Sequence, residues 1–104
     1  MTTLNQVLIS NGSTTGSAVS WAGGFCAFSV EGTFGGTTAA LEAQTANGTW
    51  IAVGTETTKT ANGWGGAFLP PCNIRCSLTG GAPSAIYAYA NQMPTPTSQY
   101  TMGN

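Results

Sequence analysis

The sequence predicts an all-β fold: an antiparallel β-sandwich or jelly-roll-like domain of about seven or eight short strands, with extended N- and C-terminal arms. Three observations predict it. Apolar residues recur with period two between turn clusters. Glycine pairs and Asn-Gly dipeptides separate these runs at a spacing of about ten residues, the rhythm of a many-stranded sheet protein. Ala and Gly are common at the inward positions, so two sheets can approach closely.

Leu4–Ser10 is the first predicted strand, and the polar run NGSTTGS (Asn11–Ser17) is a loop. Ala18–Ala22 is a short strand around Trp21 that Gly23-Gly24 breaks. In Phe25–Phe34, Cys26, Phe28, Val30 and Phe34 alternate with Ser29, Glu31 and Thr33, which marks one buried face. Gly35-Gly36 turns the chain into Thr37–Gln44, where Ala39, Leu41 and Ala43 oppose Thr38, Glu42 and Gln44. Asn47-Gly48 predicts a type I′ hairpin turn, with positive φ at both residues, returning through Trp50–Gly54. Asn62-Gly63 predicts the same device between Thr57–Ala61 and Trp64–Leu69. Pro70-Pro71 cannot donate to a ladder and marks a corner or a sheet edge. Cys72–Leu78 sets Cys72, Ile74, Cys76 and Leu78 against Asn73, Arg75 and Ser77. After the turn TGGAPS, Ala85–Asn91 puts Ile86, Ala88 and Ala90 on one face and Tyr87 and Tyr89 on the other. The domain is expected to span 1–92. Residues 93–104, with Pro94 and Pro96, read as an extended C-terminal arm.

The chain has 104 residues, which predicts a single domain. A domain of this size buries roughly 65% of its unfolded-chain surface, and its small inward residues make the core thin. Charged residues are 5% of the chain, against about 25% in ordinary globular domains. They are Glu31, Glu42, Glu56, Lys59 and Arg75, with no Asp and no His. So little charge suits a protein held against itself or against a larger body. Hydrophobic content of 41% and aromatic content of 10% argue against disorder. Two basic residues cannot neutralise many phosphates, so no nucleic-acid partner is expected. No apolar run approaches a membrane span, so no membrane partner is expected, and MTTLNQVLIS lacks a targeting pattern. The odd count of cysteines, Cys26, Cys72 and Cys76, fits reduced thiols made in a cytoplasm.

Without His or Asp, a Cys–His nucleophile and most hydrolytic dyads cannot be built. The expectation is no enzyme, no catalytic residues, no metal and no cofactor. Cys72 and Cys76, four apart on one strand face, read as core thiols, since a zinc site would need Cys26 and a further ligand. The glycine pairs at 23–24, 35–36, 65–66 and 80–81 read as turns and bulges, because none ends in GK[ST]. Trp21, Trp50, Trp64, Tyr87 and Tyr89 read as interface or core aromatics, with a sugar-stacking platform as the alternative. The threonine runs TTKT and TPT have no fixed period, which argues against an ice-binding face.

The run from Phe25 to Ala90 resembles a pattern in small virion proteins of tailed phages and prophages. The residues that carry the resemblance are Gly32-Thr33-Phe34, Leu41, Gln44, Asn47-Gly48-Thr49-Trp50, Val53-Gly54, Arg75, Leu78 and Gly80-Gly81. The stretch around Trp64, the Pro70-Pro71 corner and the long tail depart from it. The resemblance implies a capsid decoration (cement) protein on the head surface of a virion. Its partner would be a major capsid protein of HK97-like fold, and it would bridge capsomers as a homo-oligomer, a trimer first and a dimer second. A tail, adaptor or fibre component is the alternative, and a carbohydrate-binding module is the rival of another class. The contact residues expected on this reading are Leu4, Val7, Ile9, Tyr87, Tyr89, Pro94, Pro96, Tyr100 and Met102.

Overall fold

The computed structural model describes residues 5–93. Among them are nine strands and no helix. In chain order they are β1 (Asn5–Gly12), β2 (Val19–Trp21), β3 (Gly24–Thr33), β4 (Thr38–Gln44) and β5 (Trp50–Ala52). β6 (Thr58–Lys59), β7 (Gly63–Leu69), β8 (Cys72–Thr79) and β9 (Ser84–Met93) follow. The all-β expectation holds, and the strands fall where the period-two runs place them.

They form two antiparallel sheets. One has the order β1-β9-β3-β7, here called sheet A. The other, sheet B, has the order β2-β8-β4-β5, with β6 also paired to β4. Every connection except β4–β5 and β5–β6 crosses from one sheet to the other. Pro70-Pro71 stands at one such crossing, between β7 and β8. The segment ahead of β2 continues that strand along β8: Gly16 N–H donates to Cys76 O at 3.0 Å, and Leu78 N–H to Thr15 Oγ1 at 3.0 Å.

The core lies between the sheets. Cys26, Phe28 and Val30 from β3 meet Leu41, Ile74 and Cys76 from sheet B, with Ile86, Ala88 and Ala90 beside them. Each set keeps the period-two spacing that the sequence shows, because side chains alternate across a strand. Phe28 sits between Gly65 and Ala90 in the ladder and is fully buried.

Four local expectations are corrected. Asn47 does not take a positive φ; only Gly48 does, at 87°. Gly48 N–H bonds Thr45 O at 2.8 Å and Thr45 N–H bonds Thr49 O at 2.8 Å, so the turn is of ordinary hand followed by a left-handed glycine. The second hairpin does not form, because β6 lies in sheet B on β4 and β7 lies in sheet A on β3. Asn62 serves instead as a tie, its Oδ1 accepting from Gly32 N–H at 2.9 Å. Gly65-Gly66 is no turn but the middle of β7. A Cβ on Gly65 would overlap the carbonyl oxygen of Glu56, so that position needs glycine for close approach, and the Phe25 ring lies over Gly66.

The arms are the fourth. Asn5–Gly12 is not a free arm but an edge strand laddered on β9. Its register slips between Val7 and Ile9, a bulge that turns both Leu8 and Ile9 inward. Ile9 is therefore a core residue and not a contact residue. Met93, the expected first residue of the C-terminal arm, is the last residue of β9, opposite Phe25. Leu4, Pro94, Pro96, Tyr100 and Met102 lie outside the described residues.

Candidate functional site

The two sheets present different outer faces. On sheet B, Glu42 and Arg75 are cross-strand neighbours joined by an ion pair, Arg75 Nε to Glu42 Oε1 at 2.7 Å. The Arg75 guanidinium lies 4.3 Å from the centre of the Trp50 ring, within cation–π range. Asn73 Nδ2 donates to Gln44 Oε1 at 3.0 Å on the same face. This side is polar and internally satisfied.

Sheet A is the opposite. Its four strands carry one charge, Glu31. Because Cys26, Phe28 and Val30 point inward, Phe25, Ala27, Ser29 and Glu31 point outward. The ladder extends this face into rows. Met93, Phe25 and Phe68 form one, with the Phe25 and Phe68 rings edge to face at 5.0 Å. Asn5, Asn91, Ala27 and Gly66 form the next, and Val7, Tyr89, Ser29 and Trp64 the third. Tyr87 stands opposite Glu31 beyond it. Trp64 and Phe68 are each 66% exposed, Val7 54% and Met93 47%. Large apolar side chains thus stand in water on one nearly uncharged face.

Beside this face, the sheets part between β5 and β7. The opening is a cleft of about 410 Å³ lined by Ala43, Ile51, Val53, Ala67, Phe68 and Leu69 among others. Ile51 faces the inter-sheet space yet is exposed, because no strand among the described residues lies beyond β5 to cover it.

Of the contact residues expected from the sequence, Val7, Tyr87 and Tyr89 come together on this face. Phe25, Phe68 and Met93 were not among them. The signal for Phe68 was present: in GWGGAFL the bulky residues Trp64 and Phe68 share one parity, and Gly65 and Ala67 hold the other. Small residues at the inward parity put the rings outside. The five aromatics of the sugar-stacking alternative do not form one platform. Trp21 is buried in the core and Trp50 lies under Arg75 on sheet B, leaving Trp64, Tyr87 and Tyr89 on a common sheet.

The three cysteines are free thiols. Among the described residues, no group of three or more His, Cys, Asp or Glu side chains gathers in one place. Burial pushes the Cys26 thiol up to about 11, with a smaller push from Cys72, and pushes Cys76 up to about 12. Above the ordinary value of 9.0 the unfolded chain gives up these protons while the folded chain keeps them. The folded state then binds more protons, so stability falls as pH rises. The contribution is intact below pH 9.0 and is lost as pH climbs toward 11 and then 12. Urea unfolding midpoints are therefore expected to hold level to about pH 9 and to decline above it, with a shallower decline in Cys26→Ala.

The described residues define a class of protein: an all-β domain of two antiparallel sheets with one polar and one apolar outer face. The chain matches no protein-family model, no curated protein and no solved structure.

Proposed function

We propose that this chain is a virion structural protein of the capsid-decoration type, which docks on the outer surface of a tailed-phage head and stabilises the shell by bridging capsomers. The observation that carries this reading is the outer face of sheet A, where Val7, Tyr89, Trp64 and Phe68 stand together beside a single charge. Such a face suits a protein that spends its life covered. The domain is a binding part and not an enzyme. In support, the sequence has no His or Asp, and Cys26 and Cys76 are buried and hold their protons.

If β5 and β6 count as one interrupted strand along β4, the sheets read 1-8-3-6 and 2-7-4-5. That order supports a jelly roll, an architecture shared by viral capsid and lectin domains. Fold alone does not assign function, and the exposed aromatic face is what supports the reading. The docking partner would be an HK97-fold shell protein, the assembly a homo-oligomer, and several weak contacts per assembly would make release slow.

Tyr89 and Trp64 support a second reading. They lie in one row, separated by Ser29, at two strand spacings or about 10 Å. Sugar rings could stack on such a pair. Mass spectrometry of purified virions decides first. Hundreds of copies in simple ratio to the shell protein, and heads that lose heat resistance without this chain, are the expected result. A few dozen copies would move the protein to the tail or neck. Absence from virions, with glycan binding lost in Tyr89→Ala, would replace the reading with carbohydrate recognition.

A further inference from the structure

Sheet edges need protection, because an open strand is a template for another chain. Among the described residues the two sheets have four edges, and three are guarded. β1 is broken by two register shifts. β2 and β5 are three residues long. β7 is different: seven residues, GWGGAFL, with no charge, no proline and an unbroken register along β3. On its other side no backbone hydrogen bond from the described residues reaches it.

The strand is also complementary to itself. Turned antiparallel about Gly66, it sets Trp64 against Phe68 of a second copy, twice, on the outer face. Gly66 meets Gly66 between these pairs, and Gly65 meets Ala67 on the inner face. Aromatic cross-strand pairs favour strand association, and small residues beside them remove steric obstacles. Both Trp64 and Phe68 stand in water in the single chain. A twofold axis perpendicular to the sheet keeps like faces on the same side, the requirement for an isologous contact.

We propose that β7 is a homodimer interface: two copies pair their β7 strands antiparallel about Gly66, joining two copies of sheet A into one eight-stranded sheet. The occupant of the open edge is a second copy of this chain. The joined sheet presents a single aromatic face twice as wide, and the cleft beside β7 closes against its counterpart. This contact concerns the chain alone and does not rest on the shell reading. It selects the twofold form of the homo-oligomer over the threefold form.

The test uses the purified full chain under reducing conditions. Sedimentation equilibrium is expected to give twice the chain mass. Hydrogen exchange is expected to protect the alternate β7 amides that point away from β3, with protection lost on dilution. Phe68→Glu lies on the exposed face, so the fold survives it, checked by an unchanged circular dichroism spectrum. It places a carboxylate against the Trp64 ring and is expected to weaken association more than tenfold, like an edge charge in natural sheets. The double variant W64K/F68E sets an introduced ammonium against an introduced carboxylate across the axis, twice. It is expected to regain about tenfold over F68E alone, given the usual worth of cross-strand ion pairs. A monomer whose outward β7 amides exchange freely overturns the proposal. So does a trimer, and so does a monomer whose β7 edge stays protected at every dilution, since another segment of the same chain then covers it. A dimer that F68E leaves intact also overturns it. None of these results bears on whether the chain is found in virions.

Discussion

Phe28→Ala is expected to destabilise the fold by about 3–5 kcal/mol, enough to leave a small domain largely unfolded at about 37 °C. The size of the effect comes from the neighbours. Phe28 is fully buried, and its cross-strand partners on the inner face are Gly65 and Ala90. Neither has a side chain that can swing into the space. Gly65 is moreover pressed against the Glu56 carbonyl, so its strand cannot move inward without colliding with that loop. The cavity therefore stays open, and the cost includes lost packing as well as lost transfer energy. Phe28→Leu keeps most of the volume and is expected to lose less than half as much. Urea unfolding followed by tryptophan fluorescence gives both values, since Trp21 lies in the same core.

Gly32→Ala is the second large effect. Gly32 has φ of +140°, in a region nearly closed to other residues, and it sits where the β3–β9 register slips between Glu31 and Thr33. A Cβ there would overlap the Ala85 carbonyl oxygen and approach Ile86 Cα to 2.8 Å. Both obstacles are backbone and cannot rotate away. Ala85 itself is held at φ of 52°, so the facing chain has no slack. Strain of about 1–3 kcal/mol adds to overpacking of about 1–3 kcal/mol. Relief of the backbone strain would also break the 2.9 Å bond from Gly32 N–H to Asn62. The expected loss is about 2–6 kcal/mol, read from denaturant midpoints. Gly54→Ala is the matched control, because nothing lies within 4 Å of its Cβ position and its φ is not positive. A Gly32→Ala protein as stable as the Gly54→Ala control would refute the close-approach argument.

Much of the fold is legible wherever a strand has one wet and one dry face. Phe25–Phe34, Cys72–Leu78 and Ala85–Asn91 alternate, and they are β3, β8 and β9 almost to the residue. Three features were not legible, each for a physical reason. The bulge in β1 hides in the apolar run Val7–Ile9, where period two and a slipped register look alike. Asn62-Gly63 carries hairpin chemistry, but strand partners are chosen by distant residues. There β6 gains a place on Ala39 and Ala40, while β7 gains Gly24 to Val30 of β3. The glycines of β7 look like a turn until the Glu56 carbonyl and the Phe25 ring are placed beside them. The aromatic outer face of sheet A is half visible in the sequence. Tyr87 and Tyr89 announce it by parity, while Phe25 and Phe68 join it only through the pairing of β3 with β7.

The position of β9 has a consequence for how the protein is made. It is the last strand described, yet it lies inside sheet A between β1 and β3, the partner that each of them faces. A ribosome adds about 5–20 residues per second. For seconds after β1 leaves the exit tunnel, its partner among the described strands does not yet exist, and β3 has only one side to pair. The nascent chain thus cannot close sheet A until β9 has left the tunnel. In the interval the strands of sheet A, whose one charge is Glu31, are open to one another on neighbouring ribosomes. Slow translation or crowded polysomes are the conditions under which this chain is most open to misassembly.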